Sequence, residues 1–334
     1  MKIVVDAMGG DHAPAEIVKG CAAAVKEFGV EITLVGDETQ IRTAIKENEI
    51  SEDGLSVVHT GSVITMEDDP LSVIRSKKDS SMSEAFRILK NGEADAFVSA
   101  GNSGALLVGA TMIVKRIKGI QRAAMAPVLP TERGPVMLID CGANVECTPE
   151  YLVQFGVMGS AYMKHMFDLA EPRVALLNNG TEECKGTPLQ KEAYPLLKEE
   201  NSIHFIGNIE AREVPFGGCD VAVTDGFTGN ITLKLYEGLG KMFAGNVKAL
   251  FKKNFITMIG ALFVRKGLGE FRKKMDYKEY GGAPLMGISK PVVKAHGSSD
   301  AKAFKNAIRQ AIRFSESGMI EVIEKNVAAA KDNS

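Results

Sequence analysis

The sequence predicts an α/β protein, a three-layer α/β/α sandwich with a mostly parallel sheet, and three observations point there. Short β-branched runs alternate with helix-like segments, several of the runs are apolar on both faces, and polar glycine-rich loops follow them. Alternation of this kind is the signature of βαβ units. A strand apolar on both sides is one that helices cover from both sides.

The expected strands are residues 3–5, 32–35, 96–99, 136–139, 174–177, 204–206 and 221–224. Helices are expected over 14–28, 81–91, 104–117, 233–246 and 299–323, where apolar residues recur three and four apart. Residues 324–334 read as a frayed polar tail. With 334 residues, 45% hydrophobic and 25% charged, the chain can bury a large core, and residues 1–334 are expected to form a single α/β domain.

The formal charge of -2 gives no whole-molecule field for nucleic acid, which is excluded as a partner. Cys21, Cys141, Cys147, Cys184 and Cys219 lack C-x-x-C spacing and read as reduced thiols. The opening MKIVVDAMGGD has too short an apolar run for a signal peptide and reads as a first strand. The longest nearly apolar stretch, 104–114, is well below the ~20 residues of a membrane-spanning helix, so a cytoplasmic protein is expected.

In an open parallel sheet, ligands gather beyond the carboxyl ends of the strands. Loops there run Asp6-Ala7-Met8-Gly9-Gly10-Asp11-His12, Ala100-Gly101-Asn102-Ser103-Gly104, Asp140-Cys141-Gly142-Ala143-Asn144 and Asp225-Gly226-Phe227-Thr228-Gly229-Asn230. Glycine lets backbone approach a ligand, and N–H groups at a following helix start bind oxyanions. Two further segments, 178–186 (NNGTEECKG) and 294–300 (KAHGSSD), add a cation near glycines and hydroxyls. The candidate anion-binding residues are therefore Gly9, Gly10, Asp11, His12, Asn102, Ser103, Gly104, Asn144, Asp225, Gly226, Thr228, His296 and Ser298.

No G-x-G-x-x-G or G-x-x-x-x-G-K-[ST] occurs, so the anion is expected to be smaller than a nucleotide, and no cofactor is implied. His12, His59, His165, His204 and His296 form no i,i+4 pair and the cysteines have no zinc spacing, so no metal site is expected. No G-x-S-x-G elbow marks a serine nucleophile.

Over 248–275 the chain becomes basic and amphipathic. Phe251, Phe255, Met258, Ile259, Leu262 and Phe263 stand at helical spacing among Lys252, Lys253, Arg265, Lys266, Arg272, Lys273 and Lys274. Such a helix either meets a membrane surface or partner, or packs in a core or dimer, and the pattern leaves both open.

Taken together, DAMGGDHAP, SAGNSGA, DCGANVE, TDGFTGN and KAHGSSD, in that order, resemble the acyl-acyl carrier protein:phosphate acyltransferase family (PlsX) of bacterial phospholipid synthesis, over nearly the whole chain. One departure is Cys141, where that pattern would carry an aliphatic residue. The resemblance implies an isopropylmalate dehydrogenase-like fold, a homodimer, and a cytosolic enzyme held peripherally at the membrane. It implies transfer of a fatty acyl group from acyl carrier protein to inorganic phosphate, with the membrane acyltransferase that consumes acyl phosphate as a further partner. It also points to Lys185 and Asn230 as catalytic residues. Phe255, Ile259, Leu262, Phe263, Arg265, Lys266, Arg272, Lys273 and Lys274 become the expected membrane or carrier-protein contact. His12 and His296 rank second, as groups that orient phosphate or protonate the leaving thiol. The competing functions are a short-chain phosphotransacetylase, a metal-dependent decarboxylating dehydrogenase on the same fold, and a non-catalytic membrane scaffold.

Overall fold

The structure is a computed structural model that describes residues 1–275 and 280–332, without the side chains of 268, 270–275 and 328–332. Its strands lie in two mostly parallel sheets. The first has seven strands: β1 (Lys2–Asp6), β2 (Glu31–Gly36), β3 (Leu55–His59), β4 (Ala96–Ser99), β5 (Ala124–Met125), β11 (Ala283–Met286) and β12 (Val292–Lys294). Their order is β3-β2-β1-β4-β12-β11-β5, parallel from β3 to β12, with β11 antiparallel to both neighbours. The second sheet has five: β6 (Val128–Pro130), β7 (Pro135–Ile139), β8 (Arg173–Asn178), β9 (His204–Glu210) and β10 (Val221–Val223), in the order β6-β7-β10-β8-β9, with only β6 antiparallel.

Period-two alternation puts apolar side chains on both faces of each sheet. On β1, Ile3 and Val5 enter the core beneath α1 (Ala15–Phe28) and α9 (Ala301–Glu316), while Val4 enters the opposite core with Phe86 of α3 (Ser81–Asn91). On β7, Met137 and Ile139 face α5 (Pro149–Phe167), and Val136 and Leu138 face the other way toward Leu233 and Tyr236 of α7 (Gly226–Phe251). All these strand residues are at most 1% exposed, so both sheets are covered on both sides, as a three-layer α/β/α arrangement requires. One apolar core runs from β1 to β8, joining the sheets through α5 and α9, where Tyr162 packs edge-on against Phe314 and its hydroxyl accepts from Gln310 at 2.8 Å.

Several elements depart from the sequence expectation. The helix expected over 299–323 is two helices, α9 and α10 (Met319–Asp332), divided where Gly318 takes a φ of 62°. The expected tail from 324 onward is therefore helical to 332, and Val327 is buried. The basic segment 248–275 spans the end of α7, a turn, and α8 (Phe255–Met275). Strands β3, β5, β6, β11 and β12 were not expected; β5, β6 and β12 have only two or three residues.

Candidate active site

At the carboxyl end of the seven-stranded sheet, three loops meet around buried charges. Asp6 ends β1 at 2% exposure and accepts from Ser81 Oγ at 2.7 Å, Ser99 Oγ at 2.8 Å and the Met8 N–H at 3.2 Å. Lys294 ends β12 beside Ser99 and is 7% exposed; its Nζ donates to the carbonyls of Ala100 at 3.1 Å and Ala295 at 2.5 Å. Burial drives both groups toward neutrality: the Asp6 carboxyl is pushed up, and the Lys294 ammonium is pushed down to about 8. Each one's field supports the charge on the other.

The glycines let these loops touch. A Cβ on Gly9 would stand 2.6 Å from both Asp6 Oδ2 and the Gly101 nitrogen, and Gly10 has a φ of 104°. The Asp11 N–H donates to the Gly297 carbonyl at 2.8 Å, tying the first loop to the KAHGSSD loop. There the His296 Nδ1 accepts the Ser298 N–H at 3.2 Å and lies 2.9 Å from its hydroxyl. Half-burial, with Lys234, Lys294 and Lys241 nearby, lowers the affinity of His296 for a proton despite Glu237.

The five-stranded sheet builds a second frame on Asp140, which follows β7 and is fully buried. Its oxygens accept the N–H groups of Met125 at 2.9 Å, Ala143 at 3.3 Å and Asn144 at 2.7 Å, and the Asn144 amide at 2.9 Å. Burial raises this carboxyl too, against those donors. The start of α7 presses on this turn. The Asp225 carboxylate caps it by accepting the Thr228 N–H at 2.8 Å, and a Cβ on Gly229 would come within 1.9 Å of the Asp140 carbonyl oxygen. The next residue, Asn230, faces Gly142 with its side chain. The Asn178–Gly186 loop, with Lys185, leaves β8, the neighbour of β10, so Lys185 and Asn230 share this carboxyl edge and both are exposed.

Helix α7 connects the two frames. Asn230, Lys234, Glu237 and Lys241 follow the i, i+4, i+7, i+11 spacing of one helical face. The last three are the groups of α7 that act electrostatically on His296. Lys234 and Glu237 form an ion pair at 3.0 Å and also bear on Cys141, while Lys234 bears on Lys294. The face that carries Asn230 therefore looks from the second sheet's edge toward the KAHGSSD loop of the first.

The remaining expected residues divide by what their side chains already hold. Asn102 is buried and spent on structure: its Oδ1 caps Ala105 N, while its Nδ2 lies 3.1 to 3.4 Å from the carbonyls of Thr65, Met66 and Asp68. Asn144 likewise gives its amide to the Ala123 carbonyl at 2.8 Å as well as to Asp140. Asp11, His12 and Ser298 are exposed, Ser103, Gly104 and Thr228 half-buried, and Gly226 is packed with its N–H on the Asn144 carbonyl at 2.7 Å. Cys141 is 3% exposed among Leu138, Ala175 and Leu177, with its thiol pushed well up by burial, so it fills the place of an aliphatic residue. Sequence reasoning placed Asp6 and Asp140 in candidate loops and Lys294 as a loop cation without foreseeing their burial, and passed over Lys234 and Glu237. Lys234 and Glu237 were open to it by counting along α7 from Asn230.

The basic segment is not core. On α8 Phe255 is 76%, Leu262 68% and Phe263 86% exposed, with Ile259, Arg265 and Lys266 exposed beside them. Arg272, Lys273 and Lys274 lie on α8 with side chains outside the described residues. On α7, Ile231, Leu235, Leu239 and Met242 form a second exposed apolar face, turned away from the Asn230 stripe. Among the described residues no helix is long and apolar enough to cross a membrane, and no cluster of histidine, cysteine and carboxylate has metal-ligand geometry.

The model of the fatty acid synthesis protein family matches residues 1–322. The chain belongs to that family. It is 49% identical over 333 residues to the phosphate acyltransferase of Alkaliphilus oremlandii, covering 100% of this chain and 99% of that one. It is 47% identical over 333 residues to the phosphate acyltransferase of Thermoanaerobacterium thermosaccharolyticum, covering 100% and 98%. Membership makes the chain a transferase of the phosphate acyltransferase group. Among solved structures, it resembles a phosphotransacetylase from Streptococcus pyogenes with a TM-score of 0.67 at 19% identity, covering 96% of this chain and 94% of that one. It also resembles a 4-hydroxythreonine-4-phosphate dehydrogenase from Klebsiella pneumoniae with a TM-score of 0.55 at 14% identity, covering 95% and 99%. At such identities these likenesses establish the α/β/α fold alone.

Proposed function

We propose that the protein transfers a fatty acyl group from the thioester of acyl carrier protein to inorganic phosphate, forming acyl phosphate for phospholipid synthesis. The observation that carries this reading is the α7 face on which Asn230 stands in line with Lys234, Glu237 and Lys241, opposite the His296 loop. It sets neutral donors and cations on one helical face beside glycine-rich backbone contributed by both sheets.

Phosphate is itself a nucleophile, so the chemistry reduces to holding two substrates in line. A phosphate oxygen attacks the thioester carbonyl carbon, the carbonyl oxygen becomes an oxyanion, and collapse breaks the C–S bond with the electron pair leaving on sulfur. Backbone N–H groups of the strand-end loops and the Lys185 cation bind phosphate, and Asn230 or Lys185 donates to the oxyanion. His296, with Nδ1 engaged by the Ser298 N–H, orients phosphate better than it supplies a proton. The thiolate leaves without an acid.

The exposed apolar faces suit a homodimer through α7 and a membrane surface at α8, which makes a cytoplasmic enzyme held peripherally at the lipid that its product must reach. A Phe or Leu side chain gains about 1.5–3 kcal/mol when fully buried, enough for a few of them to hold the hairpin at an interface. Arg265 and Lys266 offer a docking patch to an acidic carrier protein. The test is to incubate purified protein with long-chain acyl carrier protein or short-chain acyl-CoA, with and without inorganic phosphate. Acyl phosphate formed from the carrier-bound substrate supports the reading. Turnover of short-chain acyl-CoA alone favours a phosphotransacetylase, and lipid binding without turnover favours a scaffold.

A further inference from the structure

We propose that Lys294 is a positioning residue for the anion site. It holds the Ala100 and Ala295 carbonyls beneath the strand-end loops of the first sheet and puts a buried positive charge under the bound phosphate. The proposal deepens the acyl-transfer reading and rests on it for the identity of the anion.

Lys294 makes two hydrogen bonds, both to backbone carbonyls, and no ion pair among the described residues. Two carbonyls can be tethered by a neutral donor. Burying an ammonium without a directly bonded carboxylate costs several kcal/mol, so its charge needs a compensating anion. Asp6 is the carboxylate whose field bears most on Lys294, but no hydrogen bond joins the two among the described residues, and its oxygens are engaged by Ser81, Ser99 and Met8. The loops just above Lys294 are those of Gly9, Gly10, Gly101 and Gly297, which contact one another through backbone. An anion bound at these loops lies within the field of Lys294 and completes its neutralisation.

The charged groups facing Lys294 are Asp6 on β1, Asp11 in the following loop and Lys234 on α7. Burial is the largest influence, followed by the two carboxylates that favour the charged form and Lys234 that opposes it, for a value of about 8. The charge is therefore present below about 8 and lost above it, and anion affinity must fall as pH rises through that value. Half-burial also lowers the proton affinity of His296 from its ordinary value.

The experiment is calorimetric titration of the full chain with inorganic sulfate, which stays a dianion between pH ~7 and pH ~9.5, alongside the Michaelis constant for phosphate. In the wild type, sulfate affinity is expected to fall about tenfold over this range, the equivalent of one unit of coupling between anion and proton. Lys294→Arg keeps the charge at every pH and flattens the profile. Lys294→Met binds weakly throughout, with the Michaelis constant for phosphate raised about tenfold and turnover at saturating phosphate reduced far less. A flat wild-type profile overturns the proposal without any variant, as does a folded Lys294→Met that binds sulfate like wild type. A wild type with the expected sulfate profile that makes no acyl phosphate overturns the acyl-transfer reading and leaves the anion site standing.

Discussion

At the carboxyl end of the first sheet, Asp6 and Lys294 are buried within hydrogen-bonding contacts, while on α8 Phe255 and Phe263 stand open to solvent. The two regions invert the usual distribution of polar and apolar groups in opposite senses. In the first, buried charge is held by hydroxyls, backbone and glycine-dependent close packing, which makes a rigid polar floor for a small ligand. In the second, apolar area is left unburied by this chain, so its stabilisation has to come from another surface. On the proposed function, chemistry belongs to the first region and location to the second. Changes in one should therefore move turnover and changes in the other should move partition.

The sharpest break in that comparison is Asn230→Ala, which removes an exposed donor of the proposed site. Turnover should fall about 10²–10³-fold, or roughly 2.7–4 kcal/mol of transition-state stabilisation, with an unchanged thermal midpoint. Lys185→Ala should behave alike, and near-wild-type turnover in both would remove these residues from the mechanism. Gly229→Ala tests the packing beneath them. Its Cβ would meet the Asp140 carbonyl at 1.9 Å, so stability in denaturant titration should drop by at least about 1–3 kcal/mol, and activity with it.

A smaller effect is expected at Asn102. Its substitution by alanine removes a helix cap and the amide facing the Thr65, Met66 and Asp68 carbonyls, for about 1–2 kcal/mol of stability. Anion affinity should change little once the variant is folded; a large loss of affinity at full stability would instead make its side chain a ligand. The smallest change in stability should come from Phe263→Asp, at 86% exposure, within about 0.5 kcal/mol in chemical denaturation. Its retention on phosphatidylglycerol vesicles should nevertheless drop severalfold, with turnover of soluble carrier-bound substrate kept. Unchanged retention would make α8 something other than a lipid contact.

Much of the site was legible because its residues announce themselves locally. Asp225 before two glycines marks the capped start of α7, and the Asp6 and Asp140 loops follow runs of β-branched residues. Lys294 was visible as a loop cation, but its burial was not, because lysines are almost always solvated and only the pairing of β12 beside β4 buries this one. Strands of two or three residues such as β5 and β6 exist through their neighbours and have no periodicity of their own. Sequence also leaves open the use to which Asn102 and Asn144 are put, since the same amide serves a ligand or a backbone carbonyl. The apolar segment over 248–275 was visible as amphipathic, but its exposure is seen only in the folded chain.

The most direct test of a site built by both sheets is a crystal structure of the full chain with phosphate bound. The account predicts phosphate between the Asn230 face of α7 and the Gly9–Gly10 and His296–Gly297 loops, within hydrogen-bonding distance of at least one donor from each sheet's loops. Phosphate held by the loops of one sheet alone, or bound away from Asn230 and the His296 loop, would contradict it.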